Sequence, residues 1–336
     1  MTSERPILEI GILIREQSLL GTVHGLADLF GFADRLARQR DGTTTPALRV
    51  SRFMAGPDGV ARAGEPPDIA AAEPAIVIVP PRETIALGME EHRAAGDWLR
   101  ARHEAGVVVS SICGGVFLLA QAGLLDGREV TTHWVCAGAL AKDFPTISVD
   151  ADQLVIDDGD VITAGGMMAW ADLGLLVIDR LLGPAVMADT ARFMMIDPPR
   201  RQQRFYRPFE PPRDHGDAAV AAAQERLHHE GPGGATVADM AGWARLEVRT
   251  FVRRFHRATG LRPNEYSQRL RVETARALIE TSIEPIGTIA QDVGYADPAS
   301  FRKVFTRVMG LSPADYRRRF GVRSGERTLA ADTLSL

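Results

Sequence analysis

Cys113 occupies a position where a thiol could do chemistry. It closes the run Val107–Ile112 and is followed by Gly114, Gly115 and the apolar stretch Val116–Ala120. A β-branched run that turns through small residues into a helical pattern has the form of a nucleophile elbow. The corner side chain is lifted clear there, and its neighbours must be small because the turn is strained. A thiol at that corner lies at a helix N-terminus, where the dipole favours the thiolate. A buried, inert cysteine fits the same fragment. Cys136, inside the helical stretch Val135–Leu140, reads as core filling. Two cysteines in 336 residues make no disulfide framework, so a reducing cytoplasm is the simplest compartment.

A second kind of chemistry is written near the C-terminus. Residues 236–263 and 286–313 repeat one pattern of short helix, tight turn and second helix, each closing in Gly-Leu-x-Pro at Gly260–Pro263 and Gly310–Pro313. That is helix-turn-helix grammar, present twice. Ala241 and Ala290 are small enough for the paired helices to cross closely, and Gly294 suits a turn with positive φ. Each second helix carries phenylalanines at i and i+4, Phe251/Phe255 and Phe301/Phe305, which set its buried face. The opposite face then holds Arg249, Thr250, Arg253 and His256 in the first unit. In the second it holds Ala299, Ser300, Arg302 and Lys303. A single such helix is commonly just an amphipathic helix with a solvated face. Two, with matching phenylalanine spacing and matching terminators, point to helices that enter the major groove of double-stranded DNA.

The elements that must position these residues fall into two styles. Up to about residue 200, strand patterns alternate with helical ones. Strands are expected at Leu8–Ile14, Ala75–Val79 and Val107–Ile112, with a hairpin of Leu154–Asp157 and Asp160–Ala164 around Asp158-Gly159. Helices are expected at Val23–Arg38, Glu90–Glu104, Gly115–Ala122 and Ala169–Leu182. Continuously apolar strands between helices predict an α/β fold with a mostly parallel sheet covered on both faces. The stretch PPRRQQRFYRPFEPPRDHG is rich in Pro and Arg, has no period, and reads as a linker. From Asp217 onward the pattern is all-α, with about seven helices, and residues 321–336 read as a loose tail.

Charge follows the same division. Residues 218–320 hold 16 Lys and Arg against 11 Asp and Glu, while residues 1–217 hold 21 against 30. A basic end on an acidic body directs that end alone towards a polyanion. No run of about 18 uncharged apolar residues exists to span a membrane, and the N-terminus lacks the basic region and cleavage site of a signal peptide.

The residues also carry two family resemblances. The block 286–320, IGTIAQDVGYADPASFRKVFTRVMGLSPADYRRRF, and the long helical stretch after Pro263 resemble the AraC/XylS-type DNA-binding domain over residues 218–320. That resemblance implies two recognition helices on one face, in successive major grooves about 34 Å apart. It assigns Arg249, Thr250 and Arg253 to the first groove and Ala299, Ser300, Arg302 and Lys303 to the second. Val252 and Ala299 fall where the family often has polar readers. The stretch Cys113–Trp134, with Val161–Leu173 and Asp197-Pro-Pro-Arg200, resembles the PfpI-type class I glutamine amidotransferase-like fold, in the form fused to AraC-type domains in GlxA-like regulators. It implies a flavodoxin-like doubly wound sheet with a pocket at the strand C-termini.

The expected organisation is therefore a sensor domain at 1–200, a linker at 201–217, a DNA-binding domain at 218–320 and a tail at 321–336. Cys113, Gly114, Gly115 and His133 are the expected ligand pocket. PfpI-type proteases have a His directly after the nucleophile, where Gly114 stands here. Deglycase-type relatives have an acid at the position of Thr22, and the match does not bring Glu16 there. His133 does fall where such relatives keep a His. The constellation is incomplete, so no catalytic residue, metal or cofactor is expected, and the pocket reads as a sensor of a small-molecule effector. A cysteine-dependent amidase or deglycase that also binds DNA is the alternative. A redox sensor at Cys113 is a third, with a sulfenate favoured over a disulfide to Cys136. The resemblance further implies a cytoplasmic homodimer acting as activator or repressor, and admits RNA polymerase as a partner.

Overall fold

The apolar runs of the first two hundred residues form one seven-stranded sheet. A computed structural model gives the structure and describes residues 7–57, 59–64, 73–83, 93–197, 202–231, 233 and 235–322. The sheet strands are β1 (Leu8–Ile14), β2 (Leu48–Gly56), β3 (Gly59–Ala63), β4 (Ile76–Val79), β5 (Val108–Ile112), β8 (Val155–Asp157) and β9 (Val161–Ala164). Two short strands, β6 (Glu129–Val130) and β7 (Ser148–Val149), pair apart from it. The order is β3-β2-β1-β4-β5-β9-β8. β2, β1, β4, β5 and β9 are parallel, and β3 and β8 add antiparallel edges. The parallel strands thus run second, first, third, fourth, fifth in chain order, which is the flavodoxin-like doubly wound arrangement.

Both faces of the sheet are covered, and the side-chain alternation along each strand shows why. Ile10, Ile12, Ile76, Ile78 and Ile112 join a core built with α1 (Leu20–Asp41), α5 (Trp170–Leu182) and α6 (Pro184–Phe193). Leu13, Val77, Val79 and Val109 join a second core with α2 (Arg93–Glu104), α3 (Val116–Gln121) and α4 (Trp134–Asp143). Continuous apolar strands are required because neither face meets water.

Several bounds differ from the sequence expectation. Helix α1 begins earlier than Val23 and ends later than Arg38. The β2–β3 hairpin and α6 carried no strong period and were not expected. Of the expected Glu90–Glu104 helix, 90–92 lie outside the described residues, as do 198–200 of the Asp197-Pro-Pro-Arg200 motif and most of the expected tail.

The chain divides into two compact units, Met1–Gln203 and Arg204–Leu336. The second contains, among the described residues, α7 (Ala218–Glu230), α8 (Val237–Trp243), α9 (Val248–Thr259), α10 (Pro263–Thr281), α11 (Ile286–Asp292), α12 (Pro298–Met309) and α13 (Pro313–Phe320). Helix α10 joins two small cores. Its first half gives Tyr266 and Leu270 to a core with Phe251 and Phe255; its second half gives Val272, Ala275 and Ile279 to one with Phe301 and Phe305.

The 201–217 stretch is not featureless. Gln203 is buried in the first unit. Phe205 and Phe209 are held by the second: the Tyr316 hydroxyl donates to the Phe205 carbonyl at 3.3 Å, and Phe209 stacks edge-on against Tyr266 at 5.2 Å.

Candidate functional site

The first site lies along the carboxyl edge of the parallel strands. Cys113 directly follows β5, Pro80 follows β4, and Gly165-Gly166 follows β9. Cys113 has φ 53°, the strained left-handed corner expected of the elbow, and begins a 3-10 turn, Cys113–Gly115, that runs into α3. Gly115 is needed there: a Cβ would stand 2.6 Å from the Val79 carbonyl oxygen. Gly114 is not needed on steric grounds, because a Cβ at that position would meet nothing within 4 Å.

The surroundings of the thiol are donors. Hydrogen bonding with the Cys136 side chain, and with the backbone of Gly114, Gly166 and His133, holds the Cys113 pKa below the ordinary thiol value against the opposing effect of burial. Cys136 is pushed the other way, since its proton is engaged by Cys113 and its surroundings are apolar. Both cysteines are free. Cys136 is buried as expected of core filling, and its side chain is also among the groups that lower the Cys113 pKa.

His133 lies beside the thiol in an unexpected role. It is the N-cap of α4, and its Nδ1 accepts the Val135 N–H at 3.2 Å. A nitrogen that accepts is unprotonated, and burial keeps the ring's pKa below its ordinary value, so the imidazole is neutral. Thr22 is buried in the first turn of α1, and Glu16 is exposed, with its carbonyl accepting Arg82 Nε at 3.0 Å. Neither is among the groups that set the Cys113 pKa.

Three further groups belong to this edge and carried no sequence signal. The Thr132 hydroxyl donates to the Cys113 carbonyl at 2.9 Å. Gln203 Nε2 points at the Thr131 hydroxyl and at the Thr132 and Gln153 carbonyls, at 2.8–3.0 Å. Arg15, at the end of β1, is buried and donates to the Pro80 carbonyl at 3.3 Å. Burial, with Arg82 close by, brings its guanidinium down to about 10.

The second site is the outer face of α9 and α12. Phe251, Phe255, Phe301 and Phe305 are fully buried. Arg249, Arg253 and His256 are exposed on α9 and Thr250 is half-buried; Ala299, Ser300, Arg302 and Lys303 are all exposed on α12. Ser300 differs from expectation in one respect. Its hydroxyl and N–H both bond the Asp297 carboxylate, at 2.7 and 2.9 Å, so it serves the N-cap of α12. Val252 is half-buried and belongs to the flank of the helix. The helix pairs are fixed from below: Arg226 lies over the Trp243 ring at 4.8 Å, and Arg254 grips the Asp217 N-cap of α7 through two bonds of 2.8 and 2.6 Å.

An α/β domain with a cysteine elbow, followed by a double helix-turn-helix, defines a class: a DNA-binding transcription regulator with a PfpI-like domain. Family comparison agrees. A DJ-1/PfpI family model matches residues 52–180, and a helix-turn-helix domain model matches 240–319. The chain is 32% identical over 230 residues to the HTH-type transcriptional regulator GlxA of Rhizobium meliloti, covering 66% of this chain and 69% of that one. It is 25% identical over 229 residues to the HTH-type transcriptional regulator GbdR of Pseudomonas aeruginosa, covering 66% and 60%. The α/β part is also similar to an enzyme, the isonitrile hydratase of Pseudomonas putida, at 31% identity over 147 residues, covering 44% of this chain and 58% of that one. The chain belongs to the GlxA-like family of helix-turn-helix transcription regulators. Among the described residues, no helix is long and apolar enough to cross a membrane.

Proposed function

We propose that this regulator is switched by a small molecule bound at the Cys113 corner, and that the pocket of Cys113, Gly114, Gly115 and His133 binds without turnover. The carrying observation is the set of partners around the thiol. Cys113 faces backbone N–H groups and a second thiol, and the neighbouring imidazole spends Nδ1 on capping α4. A hydrolase needs a base that accepts the thiol proton and a group that orients the base. Here the thiol is set among donors, an environment that suits an anionic or carbonyl-containing ligand. The buried Arg15 on the same strand edge supports the same choice. The similarity to isonitrile hydratase gives the enzyme reading its strongest support, so turnover belongs in the test.

In this reading 1–200 senses, 201–217 connects, 218–320 binds double-stranded DNA, and 321–336 is a tail. Arg249, Thr250 and Arg253 read one major groove, while Arg302 and Lys303, with Ala299 and Ser300 at the helix start, read the next. Arginine is suited to a guanine edge because its fork matches O6 and N7. The regulator works in the cytoplasm as a homodimer and acts on transcription alone or through RNA polymerase.

The test combines mapping of bound genomic sites with a thermal-shift screen of metabolites on the full chain. Cys113→Ser should fold and bind the mapped sites, yet lose the response to the effector that the screen finds. An unchanged response would move the pocket elsewhere. Hydrolysis of amides, adducts or isonitriles by the wild type at about 1 per second or faster would overturn the sensor reading in favour of the enzyme.

A further inference from the structure

Arg15 is a buried cation with too few partners. It directly follows β1 and is 5% exposed, and its guanidinium makes one hydrogen bond among the described residues, from Nη2 to the Pro80 carbonyl at 3.3 Å. Nε has no acceptor among them. The acids of the two adjoining loops, Glu16 and Glu83, are exposed, and the charge that acts on Arg15 is that of another cation, Arg82. Burial and Arg82 bring the guanidinium to about 10, so it stays charged at neutral pH. A charge taken out of water without an opposite partner destabilises a fold, so packing alone does not account for Arg15. The main chain around it is fixed without the guanidinium. The Arg15 N–H donates to Ser18 Oγ at 3.0 Å, the Leu19 N–H to the Pro81 carbonyl at 2.9 Å, and the Glu83 N–H to the Gln17 carbonyl at 2.9 Å. The turn 15–19 is thus stitched to 80–83, and the side chain is held in place before anything binds.

The guanidinium reaches the cysteine elbow through one carbonyl. The Pro80 oxygen that accepts Arg15 Nη2 also lies 3.2 Å from where a Cβ on Gly115 would stand. On the other side of β4, Ser111 pairs with Val79; its Oγ is buried and has no hydrogen-bond partner among the described residues. β1, β4 and β5 are neighbours in the sheet, so the two incompletely partnered groups flank the Val79–Pro80 step at the foot of the Cys113 turn.

We propose that Arg15 anchors an oxyanion group of the effector, a carboxylate or a phosphate, seated between the ends of β1 and β4 and the elbow. The edge formed by Nε and Nη2 grips two such oxygens at once. Nε is unengaged, and Nη2 has two hydrogens against one acceptor. Binding supplies the counter-ion that Arg15 lacks within the fold, so an anion is favoured over its neutral amide by charge as well as by hydrogen bonds. The inference rests on reading the first unit as the effector's receiver, and it names the chemical group recognised there.

Melting of the full chain is followed at constant ionic strength with chloride as the reference. The probes are acetate, butyrate, succinate and benzoate with their amides, and inorganic phosphate and glycerol phosphate with glycerol. At least one oxyanion should raise the melting temperature where its neutral counterpart does not, and the two arms show whether carboxylate or phosphate is preferred. Arg15→Met should abolish that shift. Arg15→Lys keeps the charge and loses the fork, and should weaken binding by about tenfold or more. In chloride alone Arg15→Met should melt no lower than the wild type, because it removes an unpaired buried charge. A lower melting temperature, or a variant that does not fold, would show a structural guanidinium and overturn the proposal. Equal shifts by anion and amide, no shift by any oxyanion, or a shift that Arg15→Met retains would overturn it as well. Affinity for a mapped DNA fragment is then measured with and without the shifting oxyanion. Arg15-dependent binding that leaves DNA affinity unchanged keeps the site and refutes the effector reading. A neutral metabolite that alters DNA affinity equally in wild type and Arg15→Met keeps the effector reading and overturns the site.

Discussion

Truncating Phe255 and truncating Arg253 should have opposite consequences, although the two residues are two apart on α9. Phe255 has no exposed surface and packs against Phe251 and Tyr266, each with ring centroids at 5.2 Å. Removing a buried phenylalanine costs about 3–5 kcal/mol. Two aromatic contacts of about 0.5–1.5 kcal/mol each place this one towards the upper end of that range. A domain is stable by only about 5–15 kcal/mol, so Phe255→Ala should lower the melting temperature of the helical unit by about 10 °C or more. Arg253 is exposed, and its loss should change stability by less than about 0.5 kcal/mol. It should cost about 1–3 kcal/mol in DNA binding, roughly five- to 150-fold in affinity. Scanning fluorimetry of the full chain gives the first quantity, and fluorescence anisotropy on a mapped DNA fragment gives the second. If Arg253→Ala melted the unit while Phe255→Ala spared it, the buried and reading faces of α9 would have been exchanged.

Gly114→Ala should fold with little change, whereas Gly115→Ala should destabilise the first unit, because only the second Cβ runs into the Val79 carbonyl; equal melting temperatures would contradict the elbow geometry. Burial holds both His133 and His228 below the ordinary value near 6.5, so the unfolded chain takes up protons that the folded chain refuses. Their contribution to stability is therefore present above about pH 6.5 and is lost as the pH falls below it. Unfolding midpoints measured across that range should drop on acidification, with a smaller drop for His228→Phe; a rise would mean that the rings are charged in the native state.

Much of this architecture was legible because it rests on periodicity. The strand runs are apolar throughout because both faces of the sheet are buried, and the phenylalanine pairs at i and i+4 announce the roots of α9 and α12. The elbow was legible because its corner demands small neighbours around Cys113. The β2–β3 hairpin was less legible: residues such as Arg52 and Arg62 interrupt the apolar pattern of an edge that is half-exposed. The Pro- and Arg-rich composition of 201–217 hid the anchoring of Gln203, Phe205 and Phe209, which depends on partners far away in sequence. The same reason left Cys136 readable only as core filling or as a less favoured disulfide partner. Its helix pattern reports that it is buried, but nothing local reports that α4 starts above the elbow. Ser300 was placed on the face opposite the phenylalanines and is exposed there, yet its bond to Asp297 is a capping detail that the family pattern of reading positions does not reveal.

The most direct measurement is methylation interference on a mapped binding site, repeated across a salt series. Two recognition helices in one unit should give two clusters of sensitive guanines in successive major grooves, about one helical turn apart on one face of the duplex. Arg253→Ala should erase the first cluster and Lys303→Ala the second, and affinity should fall steeply as salt rises. A single cluster untouched by both substitutions, or binding indifferent to salt, would contradict the claim that α9 and α12 read the DNA.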